Sequence, residues 1–133
     1  MPYLLDTNIC SFVLKNKPLK VYNKLITVDP SEVFVSVVTV YELATGCEKS
    51  PRRNFLLPEV QNFLRAFSIL NFDEDHAYRT ASLRAELEKA GTLIGPYDLM
   101  LAAQAVSESL TFVTNNTREF QRIGALKLED WSR

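Results

Sequence analysis

The chain is a succession of short apolar runs, none alternating cleanly with polar residues, separated by segments with helical spacing. The runs are residues 2–5, 33–37, 67–70, 110–113 and a weaker one at 126–128. A strand with one wet face alternates. A strand covered on both faces reads as continuous apolar residues, which is the pattern of a parallel sheet. Helical patterns fill the gaps at residues 9–14, 19–28, 39–48, 52–65, 73–90 and 97–107. Pro18 suits the first turn of the second, and Gly91 stops the fifth. The sixth is apolar nearly all round and predicts a buried helix. Pro58 is expected to turn or kink the fourth. The alternation predicts a single α/β domain over residues 1–133, with an α/β/α three-layer order and a central, mainly parallel sheet of about four or five strands.

Composition narrows the chemistry. With one histidine and two isolated cysteines, Cys10 and Cys47, a zinc site of thiolates and imidazoles is excluded. The cysteines read as buried free thiols in a reducing compartment. No stretch approaches the roughly 20 apolar residues that span a bilayer. The N-terminus has no basic segment leading into an apolar one, so a cytoplasmic protein with no membrane partner is expected. Net charge is −1, yet Lys15, Lys17, Lys20 and Lys24 face Asp6 alone among the first 28 residues. Arg52, Arg53, Arg118 and Arg122 add local basic spots, which together would form the rim that a polyanion needs.

Carboxylates fall where a parallel sheet would gather them. Asp6 ends the first strand, at the edge where open α/β sheets build their sites. Glu42 sits in the helix after the second strand, among Val38, Val40, Tyr41 and Leu43, in an environment expected to be largely buried. Asp98 opens the sixth helix behind Pro96. Thr114, Asn115 and Asn116 leave the fourth strand, with Glu119 one helical turn on. Each has a structural alternative: Asp6 as an N-cap, Glu42 in an internal ion pair, Asp98 as a first-turn acid, and Asn116 and Glu119 as turn and helix-start residues. Clustered acids repel by about 3 kcal/mol per pair at ~5 Å and an effective dielectric near 20. A hard divalent cation removes that penalty, and all-oxygen ligands favour Mg²⁺ or Mn²⁺. The chemistry that fits is metal-assisted phosphodiester hydrolysis.

These segments resemble the PIN-domain family, and within it the VapC toxins. The resemblance runs through Leu4-Leu5-Asp6-Thr7-Asn8, Ser36 to Leu43 with Gly46, Ile94 to Ala103, and Phe112 to Phe120 with the closing stretch to Trp131. It implies a Mg²⁺- or Mn²⁺-dependent endoribonuclease with catalytic and metal-holding acids at Asp6, Glu42 and Asp98. The family's fourth acidic position falls at Asn116, with Glu119 as its substitute. Thr7, Asn8, Thr114, Asn115 and Asn116 correspond to residues that bind substrate or support the acids. The resemblance further implies a homodimer, a VapB-type antitoxin that silences it in a higher assembly, and an RNA substrate, with a tRNA anticodon loop, initiator tRNA above all, the first expectation. A PIN-like module that binds RNA or protein without cutting is the alternative.

Other features have simpler readings. Asp73-Glu74-Asp75-His76 is expected to be a capped helix start, with His76 at the surface or boundary. Arg84 and Glu88 suit an i, i+4 pair. Phe63, Phe67, Phe72 and Tyr78 are expected in the core or at a dimer contact, and Trp131 is expected to pack the terminal segment down.

Overall fold

A computed structural model describes residues 2–133. Its sheet is built from β1 (Tyr3–Leu5), β2 (Val33–Ser36), β3 (Ser68–Leu70), β4 (Thr111–Val113) and β5 (Lys127–Glu129). All neighbours are parallel, in the order β3-β2-β1-β4-β5. β1 is central, with Leu4 opposite both Phe34 and Phe112. The chain builds outward from β1 on one side and then the other, so the topological switch point lies between β1 and β4.

Parallel strands need long crossovers, and these supply the outer layers. They are α1 (Thr7–Lys15) and α2 (Leu19–Leu25), α3 (Val37–Glu48) and α4 (Arg53–Leu64), α5 (Glu74–Ala90) and α6 (Pro96–Ser107), and the single turn α7 (Thr117–Phe120). Side chains alternate across the sheet and divide the core in two. Leu4 and Phe112 join Leu83, Leu87 and the apolar run of α6 on one face. Leu5, Val33, Val35 and Val113 join Ile9, Val21, Leu43 and Val60 on the other. Both faces are covered, which is why the runs read as continuous rather than alternating.

Several local expectations are met. Gly91 caps α5 with φ of 70°, the left-handed conformation that favours glycine. Cys10 and Cys47 are free and buried. Arg84 pairs with Glu88 at 2.8 Å. Trp131 packs edge-on against Tyr3, with ring centroids 5.2 Å apart, and donates to Glu129 Oε1 at 2.9 Å. Among the described residues, no helix is long and apolar enough to cross a membrane.

Others are corrected. α4 runs through Pro58 as one helix, so the proline begins no turn there. His76 is not a surface residue but 1% exposed. It shares a capping box with Asp73 and lies 3.1 Å from Glu108 Oε2. Tyr78 is 68% exposed and lies outside the core, whereas Phe63, Phe67 and Phe72 pack against it.

Phe112 is fully buried and meets Phe120 edge-on, with centroids 4.8 Å apart. Phe112→Ala is expected to lower stability by about 3–5 kcal/mol, read from urea unfolding followed by circular dichroism.

Candidate active site

Asp6 follows β1 directly and is 4% exposed. Its backbone N–H bonds to Val113 O across the switch point at 2.9 Å. One carboxylate oxygen, Oδ1, accepts from the Asn8 backbone at 2.7 Å and so caps α1. The other, Oδ2, accepts from Thr114 Oγ1 at 2.6 Å. Thr114 Oγ1 accepts in turn from the Asn116 backbone at 3.0 Å. Capping and site-building are therefore both true of Asp6. Each carboxylate oxygen still has a free lone pair after its one bond.

Glu42 lies in α3 and is partly exposed, not largely buried, because its side chain faces a groove rather than the core. It makes no ion pair among the described residues. Thr7 Oγ1 donates to Glu42 Oε1 at 2.7 Å. Having given its only proton to Glu42, Thr7 accepts from Thr39 Oγ1, 2.9 Å away. Thr39 was not identified from sequence, although it lies three residues before Glu42 and so shares its helix face.

Asp98 lies in the first turn of α6, behind Pro96, and is half-buried. Burial pushes its carboxyl up to about 6, and the charges of Asp6, Glu119 and Glu42 add to the push. Asp6 is raised by burial, against the lowering effect of its bonds to Thr114 and Asn8, and Glu42 and Glu119 raise it further. The four acids thus lie within electrostatic reach of one another. None of them is ion-paired with a basic side chain among the described residues.

Asn116 and Glu119, the two residues at the family's fourth acidic position, are bonded to each other. Its Nδ2 donates to Glu119 Oε2 at 3.1 Å. Asn115 Oδ1 is buried and has no hydrogen-bond partner among the described residues. Asn8 is exposed and touches the site through its backbone.

Among the described residues, no three His, Cys, Asp or Glu side chains stand as a ready ligand set for a metal. Mg²⁺ does not require one, since it is held by one or two carboxylates and keeps several waters. Concentrated, uncompensated negative charge with oxygen donors only fits a hard divalent ion. Asp6 lies at the switch point, and the charges of Glu42 and Glu119 act on both Asp6 and Asp98.

Beside the acids runs a groove of about 610 Å³ between α1, α3 and α4. Thr7 and Glu42 belong to its wall, Leu14, Leu56 and Val60 line it, and Lys15 and Arg52 stand on it. The Arg52 guanidinium sits 4.9 Å from the centre of the exposed Phe55 ring. Arg53 is turned away into an ion pair with Glu48.

A parallel α/β sheet with a knot of acids at its switch point defines a class of carboxylate-centred α/β domains. The PIN domain profile matches residues 3–126. The tRNA(fMet)-specific endonuclease VapC of Shigella flexneri is 43% identical over 134 residues, covering 99% of each chain. Ribonuclease VapC2 of Haemophilus influenzae is 41% identical over 133 residues, covering 98% of each. The fold superposes on DNA-bound VapBC from Salmonella typhimurium with a TM-score of 0.92, at 40% identity and 98% coverage of both chains. VapBC2 of Rickettsia felis, bound to a promoter DNA fragment, gives a TM-score of 0.91 at 34% identity, covering 98% of this chain and 99% of that one. This chain belongs to the PIN-domain family, in its VapC branch.

The acid cluster sets a pH dependence in the metal-free protein. The Asp98 carboxyl rises from 3.8 to about 6 on folding. The folded chain therefore holds a proton more readily than the unfolded one. The stability this confers is fully present below the unfolded value and is lost as pH rises through the folded one. Metal-free protein is expected to lose about 1 kcal/mol between about pH 4 and about pH 7, allowing for solvent screening of a half-buried group. Asp98→Asn is expected to remove that loss, as read from urea midpoints at the two ends of the range.

Proposed function

We propose that this chain is a divalent-metal-dependent endoribonuclease, the toxin of a toxin–antitoxin pair, working as a single PIN domain over residues 1–133 in the cytoplasm. The observation that carries this reading is the pressure that Glu42 and Glu119 put on Asp6 and Asp98, with no basic side chain among the described residues paired to relieve it. Asp6 and Asp98 hold the ion, Mg²⁺ or Mn²⁺, with Glu42 completing its surroundings. When bound, that ion stabilises charge on the scissile phosphate and acidifies a water. Thr114 and the Asn8 backbone keep Asp6 ionised and aimed. The Thr39–Thr7 relay fixes one oxygen of Glu42 and leaves the other free. Glu119, held by the Asn116 amide, takes the fourth acidic role. Asn115 and Asn8 are available to the RNA.

Two relatives with over 40% identity bear the name tRNA(fMet)-specific endonuclease, which supports initiator tRNA as the substrate, cut in its anticodon loop so that translation stops. A loop suits an open site because its nucleotides are splayed. Solved VapBC complexes of similar chains support a VapB-type antitoxin as partner, and we take the toxin to be a homodimer within that assembly. The apolar groove that opens onto Glu42 suits a segment of that antitoxin, with Phe55 as an anchor. A module that binds RNA without cutting is the second reading, favoured by the uncharged Asn116.

The test is cleavage of a tRNA(fMet) transcript with Mg²⁺ and with EDTA. Cleavage is expected with Mg²⁺ alone, and Asp6→Asn or Asp98→Asn is expected to lower kcat by about 10³-fold or more. Since Asp98 must lose its proton to hold the ion, the Mg²⁺ concentration needed for half-maximal cleavage is expected to rise as pH falls below about 6. Binding of RNA without any metal-dependent cut would leave the module. Phe55→Ala is expected to weaken antitoxin binding by about tenfold or more, measured by calorimetry.

A further inference from the structure

Gln104 is the one long polar side chain in the buried middle of α6, and it is 0% exposed. Burying an amide there is costly unless both ends are satisfied, and both are. Its Oε1 accepts from Ser36 Oγ at 2.5 Å. Its Nε2 donates to Asn71 O at 3.2 Å and lies 3.4 Å from His76 Nδ1. Asn71 O can only accept, so the amide has one workable orientation. Ser36 is the N-cap of α3, and its Oγ also accepts from the Val38 backbone at 3.0 Å. The N-cap of α3 and the interior of α6 are thus pinned to each other across the core.

The acids sit symmetrically about that pin. Glu42 is six residues beyond Ser36 on α3, and Asp98 is six residues before Gln104 on α6. Six residues of helix span about 9 Å. Tyr41 and Tyr97, each one residue before its acid, touch through their hydroxyls at 3.3 Å and their rings at 5.5 Å. The helices therefore run past each other in opposite senses, and both acids lie at the same end. Tilting α3 by about 5° at the pin would carry Glu42 about 0.8 Å, more than the ~0.5 Å that site chemistry tolerates.

We propose that Gln104 is a positioning residue: through its bond to Ser36 it sets the angle between α3 and α6, and so the distance from Glu42 to Asp98. This rests on the nuclease reading of the acids. Methionine has nearly the volume of glutamine and no amide, so Gln104→Met removes the pin without opening a large cavity.

Q104M and wild type are titrated with Mn²⁺ by electron paramagnetic resonance and assayed with Mg²⁺ on an RNA anticodon stem-loop, below their measured Tm. Q104M is expected to bind Mn²⁺ about tenfold more weakly and to lose about tenfold in kcat, with KM for RNA within about twofold of wild type. Adding Ser36→Ala to it is expected to lower Tm further, through loss of the α3 cap, and to cost little further kcat, because the pin is already gone. If Q104M does not fold, Ser36→Ala alone carries the same measurements. Wild-type Mn²⁺ affinity and kcat with only a lower Tm would overturn the proposal. If wild type neither binds Mn²⁺ nor cuts RNA, the nuclease reading fails, and crystal structures decide the positioning role. A Glu42–Asp98 separation changed by more than about 0.5 Å upholds it, and an unchanged one overturns it.

Discussion

A carboxylate buried at the middle of a parallel sheet has to be satisfied by whatever lies across the switch point, and the fold turns on how Asp6 meets that demand. Its backbone bonds to the end of β4, one side-chain oxygen caps α1, and the other accepts from Thr114. The same three bonds orient the start of α1, join the two halves of the sheet at their carboxyl edge and fix a negative charge at the mouth of the crevice. Thr7 then follows from α1 and Glu42 from Thr7. Asp6, Glu42 and Glu119 are each steered by a neutral donor, a hydroxyl or an amide, and none of the four acids pairs with a cation among the described residues.

That choice of donors has an energetic meaning. Lysine or arginine partners would relieve the crowding of Asp98 by its neighbours and remove any need for an external counter-ion. Hydroxyls and amides fix direction while leaving the charge uncompensated. The apo chain carries destabilising repulsion at neutral pH, as sites tuned for chemistry often do. The cost is borne by a core covered on both faces, with Phe112, Leu4 and Leu5 fully buried in the sheet.

The fold was legible because its signals are local. Unbroken apolar runs marked strands covered on both faces, and Gly91 and Pro96 marked the ends of helices. Asp6, Glu42, Asp98 and Glu119 could be placed near one edge for the same reason, since each follows a strand end or opens a helix. What stayed hidden depends on partners far along the chain. Nothing next to Gln104 announces Ser36, 68 positions away. His76 looked like a surface residue because its acidic neighbours are all that sequence offers, while Glu108 lies 32 positions on. The environment of Glu42 was misjudged because apolar neighbours along a helix do not reveal which face opens onto a groove. The turn expected at Pro58 is absent because a helix of this length carries the loss of one hydrogen bond without ending.

The bond between Thr114 and Asp6 spans 108 positions. In a nascent chain Asp6 therefore waits 108 residues for Thr114, with only the Asn8 backbone to aim it until β4, Asn116 and Glu119 follow. Contacts of such range form late and at a high entropic cost. Fragments cut short by stalled translation or proteolysis would lack the residues that complete the cluster. The topology itself thus withholds the full acid cluster until β4 and α7 have been made.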